Sequence, residues 1–446
     1  MRESADTFPT DWDTKTIGDL ACHVGSGATP TGGSSVYSKT GITFIRSQNV
    51  TFKGLLLDDV AFIRTSIHQQ MARSEIFPHD VLLNITGASI GRCCFVPHNF
   101  GLANVNQHVC AIRLPRPSHE DAVFLAGVLA SYIGQSQIDR LNAGGNREGL
   151  NYQQVRSFVI PWPRSEERKR IAAILEAGDE AIAKTEVVIA KLKHVRAGLL
   201  HDLLTRGLDE NGELRDPESH PEQFIESSLG TMPKTWKVGP FRNFGSPDRP
   251  HLKTGPFGSS LKQEHWVPEG VPVVTIGSLG EGQFIHSELL HVPEETARLL
   301  SAYALLPGDI VFSRVADVGR SVVVTNAERG WIMSSNMMWI SLDQRIADPD
   351  YVQANIAASE VVRAQIRRLV NAAGRDVANA AVMNALLLPW APFDEQLRIV
   401  AVLRSADSRL QSEQVELQKL RLLWQGLMSD LLTGRVRVPE EFAVAP

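Results

Sequence analysis

Long hydrophobic runs are missing from this chain of 446 residues. Nothing approaches the ~18 uncharged apolar residues that a membrane helix needs, so no membrane is expected among its partners. The opening MRESADTFPTDWDTK has no apolar core, and no secretory leader is read in it. Cysteine is scarce: Cys22, Cys93, Cys94 and Cys110 all fall in the first half, without CxxC spacing. That argues against a zinc site or a disulfide framework and predicts reduced thiols in a cytoplasmic protein. The common catalytic loops are absent too. There is no GxxxxGKS/T for ATP phosphates and no HExxH. No Pro-Pro pair exists, so the Asn/Asp-Pro-Pro-aromatic loop of amino-methyltransferases is ruled out. GSGATPTGG (25–33) holds a GxG without the full dinucleotide fingerprint. No catalytic centre, metal or cofactor is expected in this chain.

Charge of one sign is also lacking where it would signal nucleic acid. The net charge is −5, yet its distribution matters more. Residues 208–233 carry 1 basic and 7 acidic side chains, whereas residues 1–165 carry 14 and 13 and residues 234–393 carry 15 and 15. The large segments are near neutral, which leaves room for a local basic groove.

What is present is a duplication. VIPWPRSEERKRIAAIL (159–175) returns as LLPWAPFDEQLRIVAVL (387–403), so that Pro161, Trp162, Glu167, Arg170 and Ile171 recur as Pro389, Trp390, Glu395, Arg398 and Ile399. Upstream, HDVLLNITGASIGR (79–92) matches GDIVFSRVADVGR (308–320), and LNAGGNREGLN (141–151) matches LVNAAGRDVAN (369–379). Downstream, LLTRG (203–207) matches LLTGR (431–435). A spacing this long means a duplicated pair of large units, not a solenoid.

Each unit reads as an α+β domain followed by a long helix. FIRSQNV, VLLNITG, VCAIRL and SFVIPW are β-branched runs bounded by turn formers, as are PVVTIG, DIVFSRV, MMWISL and LLLPW in the second copy. Helical patterns over 121–141 and 349–370 interrupt them. The strand should stop at Pro161 and Pro389, because proline cannot continue a ladder. Ser165, and Asp394 with Glu395, then offer an N-cap and charge suited to the helix dipole. Beyond them, apolar residues recur in alternating steps of four and three. One stripe runs Ile171, Leu175, Ile182, Ile189, Leu192, Leu199, Leu203; the other runs Ile399, Leu403, Leu410, Leu417, Leu420, Trp424, Leu427, Leu431. A mean step of 3.5 is the coiled-coil period, and such a helix spans roughly 50 Å from Ile171 to Leu203 at ~1.5 Å per residue. Two such helices of one chain can bury their stripes against each other, antiparallel and about a pseudo-twofold. The boundaries follow: domains at 1–165 and 234–393, coiled-coil helices at 166–207 and 394–435, an acidic surface linker at 208–233 and a tail at 436–446.

Polar loop residues are the remaining candidates. Arg46, Ser47, Asn49, Thr86, Ser89, Arg92, Asn106, Gln107, Asn146 and Arg147 gather near turns of the first domain. Lys253, Ser259, Lys262, Arg314, Arg320, Asn336 and Arg375 do so in the second. Arg, Asn and Gln can pair with guanine and adenine edges, while Ser, Thr and Lys suit phosphates. The same residues are ordinary turn formers. On the residues alone, a coiled-coil scaffold that binds only protein and an unrecognised stand-alone DNA-modifying enzyme stay open.

In its layout the chain resembles the specificity subunit of type I restriction–modification systems over about residues 12–435. The marks are the GATP loop (27–30), the Pro-Phe-Gly-Ser loop (256–259), IPWP (160–163) leading into Glu167-Arg168, and LGTMPKTWKVGPF (229–241). It departs from the family's Pro-Leu-x-Glu-Gln junction with Pro-Arg-Ser-Glu-Glu (163–167) and Pro-Phe-Asp-Glu-Gln (392–396). The resemblance implies two target recognition domains, each reading half of a split, asymmetric site in double-stranded DNA. It implies helices that space the halves and dock two methylation subunits. Those partners would bring S-adenosylmethionine and adenine-N6 methylation. Restriction subunits, two where the system has them, would bring ATP and magnesium for cleavage. The specificity subunit itself would be non-catalytic.

Overall fold

The computed structural model describes residues 8–142, 149–256, 260–280, 282–315, 318–372 and 377–442. Asn146, Arg147, Ser259 and Arg375 lie outside the described residues. The chain forms two compact units, one of Met1–Val188 with Glu413–Pro446 and one of Ile189–Ser412.

In the first unit, a four-stranded sheet runs in the order Cys93–Phe95, Val81–Asn84, Val109–Arg113, His23–Ser26. A five-stranded sheet contains Ile42–Ile45 paired in parallel with Ala103–Val105. The second unit repeats the pattern: Ser321–Val323, Ile310–Ser313, Met337–Ile340 and Leu252–Thr254 form the four-stranded sheet, and Val271–Val274 pairs in parallel with Ile332–Met333. Six of the eight runs named above supply strands of these sheets, while SFVIPW and LLLPW supply Val159–Trp162 and Leu387–Trp390. Val81–Asn84 and Ile310–Ser313 are buried at every residue, as expected of central strands covered on both faces.

Two local expectations need correction. Pro161 and Pro389 do not end their strands. They sit inside Val159–Trp162 and Leu387–Trp390, opposite Thr14 and Val238. Both strands belong to two-stranded ribbons, where the side without a partner needs no N–H. Each long helical pattern is also two helices. The first breaks between His119–Ala130 and Tyr132–Asn142, the second between Pro349–Ala358 and Glu360–Ala372. Ser131 and Ser359 take extended backbone at the breaks while their N–H groups still bond to Gly127 and Asn355 carbonyls. His119–Ala130 is buried on nearly all sides, so it forms the spine of the core with Phe158, Ile171, Leu175, Leu431 and Leu432 around it. The second unit mirrors this with Phe241, Tyr351, Leu203, Ile399 and Leu403. Each such side chain contributes about 1.5–3 kcal/mol by leaving water.

The long helices, Ser165–Thr205 and Phe393–Thr433, have 41 residues each and each runs through both units. Within the first unit they are antiparallel: Gly178 faces Trp424, and Glu186 accepts from Arg421 at 2.6 Å. Ile171, Leu175, Leu417 and Leu431 are buried there, with Ile182, Leu420 and Trp424 part-buried. Leu427 departs from the stripe at 39% exposed; Met428, Leu431 and Leu432 complete the core at that level instead. Within the second unit the helices are again antiparallel. Ile189, Leu203, Ile399 and Leu403 are buried, Leu192, Leu199 and Leu410 are part-buried, and Arg196 pairs with Asp407.

Trp424 is the largest side chain of either stripe. Its ring lies so close to Gly178 that a Cβ there would meet Cε3 at 2.5 Å. Trp424→Ala should therefore destabilise the first unit by about 2–4 kcal/mol, at or just below the range for buried aromatic truncations because the ring is only part-buried. Chemical denaturation reads this, and a change below about 0.5 kcal/mol, the range of inert surface substitutions, would contradict the packing.

Candidate nucleic-acid interface

The frame of the site is a buried carboxylate at the start of each long helix. Glu395 is 2% exposed. It accepts from the Trp236 indole at 3.0 Å, the Leu208 amide at 3.0 Å and Arg215 at 2.6 and 3.2 Å. Gly207, in the left-handed region at φ 64°, makes room, since a Cβ there would fall on Glu395. Glu167 plays the same part in the first unit. It accepts from the Trp12 indole at 3.1 Å and from Arg437 at 2.6 and 2.8 Å, while Arg437 also grips Asp11 at 2.9 Å. So these acids, in the first turn of their helices as expected, also serve as buried hydrogen-bond hubs. The segment 208–233 is likewise more than a linker. Arg215 plugs it into the core, and Phe224–Ser227 pairs with Gly230–Pro233 as a hairpin. The signal for the hubs was in the sequence: PTDW (9–12) and PKTW (233–236) repeat the tryptophan beside the repeated glutamate.

On this frame, loops of the first unit converge. Gly27 follows the strand His23–Ser26 and lies against the Val105 carbonyl, where a Cβ would overlap it. That close approach lets Thr29 of the GATP loop bond Gln107. Gln107 meets His108 at 3.0 Å, and His108 meets Thr86 at 2.5 Å. Thr86 is bridged to Gly149, and Ser26 bonds the half-exposed Tyr152. A polar relay thus joins four loops along one rim. Thr86 and Gln107 lie in it; Thr29 and Tyr152 belong with them and were not among the site residues expected from sequence.

Other expected residues have structural duties. Asn49 is 1% exposed, donates to the Leu56 carbonyl at 2.9 Å and accepts from the Arg46 amide at 2.9 Å. Asn106 is buried and accepts from the His108 amide at 3.1 Å. Both build loops and are not placed to read bases. Arg46 donates to the Asp59 carbonyl at 3.1 Å. Ser47 and Ser89 receive the Asn84 amide at 2.8 and 3.1 Å. Arg92 is exposed beside that turn. The turn spells Gly87-Ala88-Ser89-Ile90-Gly91, a GxSxG pattern, but it joins strand to strand and Ser89 Oγ is engaged by Asn84. A nucleophile elbow needs a strand-to-helix turn. The buried thiols offer no nucleophile either: burial pushes Cys94 and Cys110 up to about 12.

The second unit repeats the convergence with different chemistry. Gly255 packs against the Ser334 carbonyl as Gly27 does against Val105. Arg314 donates to the carbonyls of Ala378 at 3.0 Å and Ser335 at 3.3 Å, latching two loops, and burial lowers its pKa. Arg320 donates to the Leu279 carbonyl at 3.0 Å. Lys253 turns inward to the Ala302 carbonyl at 2.6 Å and lies over the Tyr303 ring. Lys262 is exposed beside Glu264, and Asn336 is exposed on the rim. Among the described residues no cluster of His, Cys, Asp or Glu could hold a metal ion, and no helix is long and apolar enough to cross a membrane.

Comparison with known proteins agrees with this layout. Residues 9–194 match the type I restriction modification DNA specificity domain. The MjaVIII type I restriction enzyme specificity subunit of Methanocaldococcus jannaschii is 22% identical over 290 residues, covering 63% of each chain, so that match spans under two thirds of the relative. The putative MjaX type I specificity subunit of the same organism is 21% identical over 440 residues, covering 97% of this chain and 95% of the relative. Among solved structures, the type I S subunit from M. genitalium superposes with a TM-score of 0.56 at 15% identity, covering 97% of this chain and 98% of that one. A chain from a structure concerning complex assembly and conformational transition of the type I R-M system gives 0.58 at 16% identity, covering 96% and 100%. With its duplicated domain-and-helix units, its GATP loop against Val105 and these matches along its length, the chain is similar to type I restriction–modification specificity subunits, and its residues 9–194 match their DNA specificity domain.

Proposed function

We propose that this chain reads a two-part, asymmetric site in double-stranded DNA, one part per unit, and directs adenine-N6 methylation by two methylation subunits. The observation that carries this is the repetition of one loop-convergence geometry with unlike side chains. Thr29, Gln107, His108 and Thr86 form the rim of the first unit, whereas Asn336, Lys262 and the Arg314-latched loops form that of the second. Same frame and different rims is what an asymmetric site calls for, because sequence is read by side chains at base edges and position is fixed by phosphate contacts. The near-neutral net charge of each domain limits non-specific binding, which phosphate neutralisation dominates.

S-adenosylmethionine on the methylation subunits would supply the methyl group, and restriction subunits with ATP and magnesium would supply cleavage. This chain's own residues position the complex: the rims select the sequence, and the long helices carry the partners. Matched insertions of one heptad into both helices, after Lys184 and Glu413, should lengthen the gap between the two half-sites while leaving each half unchanged. Sequencing of methylated DNA from cells expressing the complex measures it. An unchanged gap would contradict the spacing role, and methylation without sequence preference would return the scaffold reading.

A further inference from the structure

The two units differ at one repeated position of the helix pair. At the constant offset of 228 (406 less 178), Gly178 corresponds to Ala406, Asp179 to Asp407 and Trp424 to Arg196. In the first unit the Trp424 indole lies over Gly178 and donates a hydrogen bond to Asp179. In the second unit Asp407 is kept but receives the Arg196 guanidinium, with Nη2 at 3.2 Å. Where the indole would lie, an open groove of about 460 Å³ remains, walled by Leu192, Val195, Leu199 and Ala406 and rimmed by Arg196 and Arg409. A closed cavity of about 150 Å³ is enough to hold benzene. Val195 is 63% exposed at its edge, and Lys191, Lys193 and His194 are exposed on the same stretch of helix. Apolar walls, a guanidinium to lie against a ring and a basic rim together select an aromatic side chain with a carboxylate nearby. The internal repeat places an aromatic ring at the equivalent position of the first unit, over Gly178 where the second unit has Ala406.

We propose that this groove is a docking socket for an aromatic side chain that a helix of the methylation subunit carries next to an acidic residue. The first unit, whose equivalent place Trp424 fills, docks that subunit without such an anchor. The two docking surfaces are therefore unequal. The proposal rests on the reading above, that methylation subunits bind along the long helices.

The test titrates the full chain with its methylation subunit by calorimetry and sedimentation. Two binding events of unequal affinity are expected. Arg196→Trp with Ala406→Gly, which copies the packing of the first unit into the second, should weaken one event at least tenfold and leave the other unchanged. Val195→Asp, at an exposed position that cannot disturb the core, should weaken the same event by its charge. Equal affinities in the wild type, or wild-type binding by both variants, overturns the socket. Loss of self-association in the variants, or a changed salt dependence of DNA binding by the chain alone, also overturns it, in favour of a second copy or nucleic acid as occupant. If the wild type binds no methylation subunit at all, the docking reading itself fails, and this result is distinct from the others.

Discussion

Glu395→Ala is expected to unfold the second unit, at a loss of about 3–5 kcal/mol. The carboxylate is 2% exposed and its partner Arg215 has a side chain only 9% exposed. Removing it strands a buried guanidinium, the Trp236 indole N–H and the Leu208 amide together. Each neutral donor left without an acceptor costs about 1–3 kcal/mol, and a buried unpaired charge costs more. Glu395→Gln should retain part of the stability, because one oxygen can still accept. The matching Glu167→Ala should be milder. Arg437 is 44% exposed and keeps Asp11, so its charge remains solvated and paired. Denaturant unfolding followed by fluorescence separates the two variants. Equal losses would mean that burial of the arginine does not set the energetics.

The second large effect concerns the glycines that let the loops converge. A Cβ at Gly27 would overlap the Val105 carbonyl, and one at Gly255 the Ser334 carbonyl. Backbone atoms cannot yield as a flexible side-chain end would, so the loop must move. Overpacking of this kind costs about 1–3 kcal/mol. Gly27→Ala would then carry Thr29 away from Gln107 and break the relay to His108 and Thr86. Each base pair no longer read is worth about 1–3 kcal/mol, so recognition of one half-site should fall roughly a hundredfold while the other half is still required. Gly255→Ala should do the reverse. Competition binding of the methylation complex to DNA randomised in each half measures this. If either variant relaxed both halves equally, the assignment of one half-site to each unit would be wrong.

The α+β units and the helices were legible because their signals are local. Fully buried strands such as VLLN and IVFS open on three consecutive apolar residues, and the four-three stripe repeats over 41 residues. What escaped depends on partners outside the short run that carries the local signal. Pro161 is tolerated because its strand pairs only with Asp13–Thr16, far back in the chain. Asn49 looks like a base reader in FIRSQNV until the Leu56 carbonyl turns out to hold its amide. The acidic stretch 208–233 shows no apolar period, yet Arg215 reaches Glu395, 180 residues on. The rim is the least legible part. Which of Thr86, Gln107, Arg92 or Asn336 points outward depends on loop backbone that neither periodicity nor composition encodes.

Expressing the chain with its methylation subunit in a host free of adenine-N6 methylation, then sequencing the modified bases, tests the central claim most directly. The account predicts methylated adenines within one motif of two unlike parts separated by a fixed unspecific gap, and a Gly27→Ala variant that loses the requirement for one part only. Methylation at a single continuous motif, or at adenines with no shared sequence, would contradict it.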